Sequence, residues 1–259
     1  NRVNDVSAGS YYIESLTATI AEKAWKLFKE IEAAGGMLQA IKSNYIQDQV
    51  KSVADTRKKN LATRKQILLG TNQYPNLNEF MLGSIQEAED DEVEITEGKL
   101  CKILEPGRLS EDFDDMRLAT EIYTQEGNKR PGVFLLNYGN LAMRKARAMF
   151  TTNFFGCAGF EIFDNNGFAS VEEGVKAALD SDAEIITLCS SDDEYAETVI
   201  AKAQKIKAAD PEKIIVVAGY PQEHIEAFTQ AGVDLFIHVR ANLLDTLKLT
   251  QIKLGIVEA

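Results

Sequence analysis

Chemistry on a polypeptide needs particular side chains at particular spacings, and few candidates exist in this chain. Only two histidines are present, His224 and His238, and three cysteines, Cys101, Cys157 and Cys189, lie far apart. No pair has CxxC or zinc-ligand spacing, so the inventory builds no metal centre. Cys189 and Ser190 follow an apolar run and are the candidate nucleophiles. They would need His238, which ends another apolar run, as a base. The plainer reading is a buried thiol and an ordinary strand-end histidine. His224, near the start of a helix, reads as solvent-facing. The loop Asn137-Tyr138-Gly139-Asn140-Leu141 holds a single glycine and no GxGxxG or GK[ST] pattern, which argues against a phosphate cradle. Asp192-Asp193 fall just past the position a phosphoacceptor would take. They suit the first turn of a helix, whose dipole favours negative charge.

The elements that would position these residues are clearest from about Gly132 onward. Five apolar runs, VFLLN (133–137), GFEIF (159–163), EIITLC (184–189), KIIVVAG (213–219) and DLFIHV (234–239), alternate with helical stretches near 140–153, 171–180, 193–209, 222–230 and 242–254. Strands apolar on both faces belong in a parallel sheet covered by helices on both sides. The expected fold class is α/β, with a doubly wound flavodoxin-like, five-stranded parallel sheet at the C-terminal end (131–259). Ligands on such sheets bind beyond the carboxyl ends of the strands, so the loops after each run are the places to look for function.

Upstream, residues 1–75 read as helical. Leu16, Ile20, Ala24, Leu27 and Ile31 recur at spacings of four and three and form one stripe. Gly35-Gly36 stops that helix, because glycine accepts the left-handed conformation at little cost. A short helix near 37–41 and a longer polar one over 45–64 follow. The lone tryptophan, Trp25, reads as a packing residue. With too little chain nearby to cover the stripe, an exposed apolar surface is expected here.

Between these parts, residues 76–127 hold 15 acidic and 4 basic residues, a net of −11 out of −12 for the whole 259-residue chain. We read 76–130 as an acidic linker. QEAEDDEVEI (86–95) is expected to be exposed, a short strand is expected over 99–104, Pro106-Gly107 should break the chain, and a helix is expected over 113–125. The net charge of −12 argues against a nucleic-acid partner. No apolar run reaches the ~18–20 residues of a membrane span. Odd, widely spaced cysteines fit a reducing cytoplasm.

SAGSYYIESLTATIAEKAWKLFKEIEAAGGMLQAI (7–41) resembles the segment that closes the substrate-binding (β/α)8 barrel of the methylmalonyl-CoA mutase family, and RKQILLGTNQYPN (64–76) resembles the strand and turn that follow it. The C-terminal part resembles the family's cobalamin-binding domain in length, strand spacing and the turn Ala231-Gly232-Val233. The resemblance implies a helical remnant of the barrel over 1–75. It also implies three cofactor signatures, and each is altered. DxHxxG falls on Tyr138, Asn140 and Met143, so that an amide replaces the imidazole that would ligate cobalt and the orienting aspartate is a tyrosine. Methionine replaces the glycine that admits the nucleotide tail, an overpacking worth about 1–3 kcal/mol. SxL falls on Cys189-Ser190-Ser191, and GG falls on Ala218-Gly219, whose added methyl narrows the same channel.

The resemblance therefore implies a chain that is catalytically inactive and binds neither cofactor nor metal. Within an isomerase heterodimer of propionate metabolism it would stabilise a catalytic large chain that carries adenosylcobalamin and interconverts methylmalonyl-CoA and succinyl-CoA. The alternative is a domain that binds cobalamin with the vitamin's own base, without a histidine ligand. A third reading, an unrelated small-molecule or regulatory module such as a CoA-thioester sensor, has no positive support in the loops.

Overall fold

The computed structural model describes residues 4–84, 100–104 and 107–258. The acidic run 86–95 and Pro106 lie outside them. The chain divides into two compact units, residues 1–56 with 90–106, and residues 57–89 with 107–259.

In the first unit, α1 (Tyr11–Ala33) ends where Gly35 and Gly36 take φ of 101° and 82°. That reversal, which an L side chain resists, starts α2 (Gly36–Lys42), and α3 (Tyr45–Ala62) follows, its residues from Arg57 onward belonging to the second unit. None of α1's residues is buried. Trp25 stacks on Phe28 at 5.2 Å but stays 60% exposed, so the packing role expected of it is not what is found. Its neighbours on the helix give it a ring to lie on and no core to enter. The strand expected over 99–104 does not form in 100–104 either. Asn44 accepts the Lys102 N–H (2.6 Å) and Gln47 donates to the Lys102 carbonyl (3.1 Å), so side chains satisfy the backbone groups a neighbouring strand would have paired.

In the second unit, five parallel strands lie in the order β2-β1-β3-β4-β5. They are β1 (Gly132–Asn137), β2 (Glu161–Phe163), β3 (Ile185–Cys189), β4 (Ile214–Ala218) and β5 (Leu235–Ile237). The order reverses at β1, so the crevice that such folds offer to ligands opens between the carboxyl ends of β1 and β3. The register pairs Val133 with Ile185 and Ile185 with Ile214, which keeps the alternation of the three central strands in phase. Val133, Leu135, Ile185, Val216 and Ile237 meet α4 (Glu111–Gln125), α5 (Leu141–Gly156) and α9 (Leu243–Lys253) on one face. Phe134, Leu136, Ile186, Leu188 and Val217 meet α6 (Val171–Asp180), α7 (Asp192–Ala209) and α8 (Ile225–Gln230) on the other. Each such fully buried aliphatic side chain contributes about 1.5–3 kcal/mol.

Residues 64–76 form no strand; Leu69 and Gln73 make only an isolated bridge. The buried Asn72 accounts for this. Its amide nitrogen donates to the carbonyls of Leu61 and Gln66 (both 2.9 Å) and its oxygen accepts the Leu68 N–H (2.8 Å). One side chain thus closes the turn that a strand would need open. The following stretch is clamped by buried charges. Arg117 donates to the carbonyls of Asn76 (2.6 Å) and Glu79 (2.9 Å), and Glu121 accepts the N–H groups of Met81 (2.6 Å) and Leu82 (3.0 Å). No described helix is long and apolar enough to cross a membrane.

Candidate functional site

The loops after β1, β3 and β4 bring Tyr138, Asn140, Cys189, Ser191, Ala218 and Gly219 to one end of the sheet. Met143 lies in the first turn of α5 and is 38% exposed, so its side chain is not the buried filling expected of it. What those residues do there follows from their partners.

Asn140 is the N-cap of α5. Its side-chain oxygen accepts the N–H groups of Ala142 (3.0 Å) and Met143 (3.1 Å), which helix geometry otherwise leaves unpaired. Its own N–H is donated to Glu194, at 2.9 and 3.2 Å to the two carboxylate oxygens. Ser191 is the N-cap of α7 and forms a reciprocal capping box with Glu194. Glu194 therefore reaches back from α7 beneath the β1–α5 loop. It accepts from the Ser190 hydroxyl, the Ser191 hydroxyl (2.8 Å) and the Ser191 N–H (3.2 Å). These hydrogen bonds, that of Ser190 foremost, hold its carboxyl below the usual range against a smaller opposing effect of burial. The carboxylate presses on Gly139 so closely that a Cβ there would lie 2.1 Å from Oε1.

Tyr195 fills the space below. Its hydroxyl accepts the Ser190 N–H (2.9 Å) and lies at hydrogen-bond distance from the carbonyls of Leu188 (2.9 Å) and Ala218 (3.0 Å), linking the ends of β3 and β4. Tyr138 is buried on the same face, edge-on to Tyr195, with its hydroxyl accepting from Thr198 (3.1 Å). The Lys202 ammonium sits 3.5 Å from the centre of the Tyr138 ring, and burial draws its pKa down to about 8. On the opposite side, Arg147 of α5 crosses to Asp192 at the start of α7 (3.0 Å) and passes over Gly219, whose added Cβ would stand 3.6 Å from the guanidinium carbon. The crevice between β1 and β3 is thus filled by this chain's own side chains.

No nucleophilic centre assembles. Cys189 is fully buried beside the Thr151 hydroxyl (3.7 Å), and burial pushes its thiol up to about 12. His238 does not reach it; the imidazole packs against Tyr220 (4.5 Å), and its Nδ1 accepts the Arg240 N–H (3.2 Å). His224 is half-buried and stacked on Phe228 (5.6 Å), not solvent-facing as expected, because the short helix α8 turns Phe228 back toward it. Among the described residues, no group of three or more His, Cys, Asp or Glu could hold a metal ion.

Glu194, Tyr195 and Arg147 were not singled out from the sequence. The Ser191-x-x-Glu194 spacing is a capping-box signature and could have flagged the first of them. Nothing local marks the other two, whose partners lie on distant strands and helices.

Residues 1–116 match the family profile described as Methylmalonyl-CoA mutase. The chain is 45% identical to the methylmalonyl-CoA mutase small subunit of Porphyromonas gingivalis, over 99% of this chain and 40% of that protein. It is 31% identical to the small subunit of Propionibacterium freudenreichii, over 98% of this chain and 38% of that protein. A protein of Cereibacter sphaeroides named methylmalonyl-CoA mutase is 22% identical, over 90% of this chain and 42% of that protein. The chain therefore spans about two fifths of the length of the curated relatives it matches. The order of strands and helices, the family profile over the first part and the near end-to-end similarity to curated small subunits agree: this chain belongs to the methylmalonyl-CoA mutase family.

Proposed function

We propose that the chain acts as a non-catalytic small subunit of a heterodimeric, adenosylcobalamin-dependent methylmalonyl-CoA mutase in the cytoplasm. A larger partner holds the cofactor and interconverts methylmalonyl-CoA and succinyl-CoA, and this chain stabilises it. The observation that carries the reading is the Glu194 carboxylate, wedged under Gly139 in the crevice where such a fold would receive a ligand. Two further facts support it. The loop after β1 offers no imidazole, and the Asn140 oxygen already accepts two backbone N–H groups, so neither is free for cobalt. The uncovered stripe of α1 is a face that the rest of a barrel would cover.

The test is titration of the purified chain with adenosylcobalamin and hydroxocobalamin, following the visible spectrum and the heat. We expect neither a spectral change nor saturable heat, and no mutase activity with added cofactor. Saturable binding would sink this reading. An unchanged base-on spectrum on binding would favour the alternative in which the vitamin keeps its own base.

A further inference from the structure

An open groove runs between α6 and α7, on the face of the sheet opposite α5. It offers about 300 Å³ and is lined by Glu172, Val175, Lys176, Leu179, Asp180 and Lys205. That volume stands at the lower end of small-molecule clefts, which run from roughly 300 to 1,000 Å³. The floor is apolar. Val175 is buried in the core beneath, and Leu179, one turn further along α6, is partly buried against the same cluster.

The rim carries two charges of each sign, and they are not equivalent. Glu172 and Lys205 satisfy one another across the groove, the ammonium donating to the carboxylate at 2.6 Å. Lys176 and Asp180 differ from them. Among the described residues neither belongs to an ion pair. Glu172, Lys176 and Asp180 are exposed and recur at a spacing of four, so they stand in a row along one edge of α6. Helix residues four apart have Cβ atoms about 5–6 Å from one another, near enough to pair. Here the lysine precedes the acid, the less favourable order for such a pair, and the two side chains do not meet. An unpaired cation and an unpaired anion therefore stand one turn apart beside an apolar floor.

A simple carboxylate attracted to Lys176 is repelled by Asp180, and a simple amine attracted to Asp180 is repelled by Lys176. A molecule with both charges on one carbon avoids either conflict. We propose that this groove binds a short aliphatic α-amino acid. Its carboxylate lies against Lys176, its ammonium against Asp180, and its hydrocarbon side chain over Val175 and Leu179. The charges stay in water and each contributes little, so they set orientation and selectivity while the apolar floor supplies most of the affinity. The groove shares no residue with the filled crevice and does not depend on the chain's acting as a subunit.

The test is titration of the 259-residue chain with leucine, glycine, isocaproate and isoamylamine, following the α6 amide resonances by NMR. Isocaproate is leucine without its ammonium, and isoamylamine is leucine without its carboxylate. Leucine should bind about tenfold (~1.4 kcal/mol) more tightly than glycine. It should bind about fivefold (~1 kcal/mol) more tightly than either singly charged analogue. Lys176→Gln and Asp180→Asn should each weaken leucine binding about fivefold, ~1 kcal/mol. Lys176→Gln should spare isoamylamine, and Asp180→Asn should spare isocaproate, which a general loss of structure would not do. Both side chains are exposed and unpaired, so neither change should move the melting temperature. Equal affinity for leucine and its two analogues, leucine binding indifferent to both variants, or no shift at high millimolar leucine would each overturn the proposal. None of these outcomes bears on the cobalamin titration.

Discussion

Helices α1 and α7 show what amphipathic spacing does and does not determine. Both carry an apolar stripe at spacings of three and four. In α7 the residues Tyr195, Val199, Ala203 and Ile206 are fully buried against the sheet, whereas in α1 none is buried and Ile20 remains 58% exposed. The pattern states which face wants cover; only the rest of the fold supplies it. On α7 the covering is so complete that the helix also delivers Glu194 and Tyr195 into the crevice. The same packing that stabilises the unit therefore removes its opening.

The contrast can be broken most severely at Tyr195. Tyr195→Ala removes a buried ring and the hydroxyl that links β3 to β4, and should cost about 3–5 kcal/mol by chemical denaturation. A loss below 1 kcal/mol would mean the crevice is not packed as described. Glu194→Ala comes next, leaving the Ser191 and Asn140 donors to water while the Ser190 hydroxyl keeps the Tyr138 carbonyl (3.0 Å), and should cost about 1–1.5 kcal/mol. Its pH signature has a definite sign. The folded-state pKa is depressed, so the stabilisation is complete above the ordinary carboxylate pKa of about 4.3 and fades as pH falls through the lower folded value. In Glu194→Gln, the acid-side decline in stability should be shallower than in the unaltered chain. Asn140→Ala should cost about 1 kcal/mol as a lost cap. Asn140→His should restore no cobalamin binding, since Glu194 still fills the space under Gly139. At the other end of the comparison, Ile20→Gln in α1 should change stability by less than about 0.5 kcal/mol. A cost near 2 kcal/mol would show that α1 is covered in solution and that the two helices differ less than described.

Much of this architecture could be read before any coordinates. All five apolar runs became strands in parallel, and the helix expected over 171–180 runs from Val171 to Asp180. Runs of β-branched and aliphatic residues alternating with helices leave few other solutions. The two strands that did not form share a cause. At Leu68–Asn72 and at Lys102, side-chain amides took over backbone groups that local patterning would assign to a strand, and such capture depends on residues brought near by the fold. The candidate site divides similarly. The loop after the first apolar run contained Asn140, and the family resemblance marked Ser191, but that each caps a helix became visible only in the structure. The crossing of Arg147 to Asp192, 45 residues away, needed the sheet to be built first.

The distribution of thiols has a practical consequence. Cys157 and Cys189 are buried, with burial lifting each to about 12, whereas Cys101 is partly exposed and belongs to the other unit. An alkylating reagent at neutral pH would therefore mark Cys101 in the native protein and reach the other two only when the sheet opens. Mass spectrometry of a timed labelling reaction would then count openings of the sheet directly, with no dye or engineered probe, so the chain carries its own clock for unfolding.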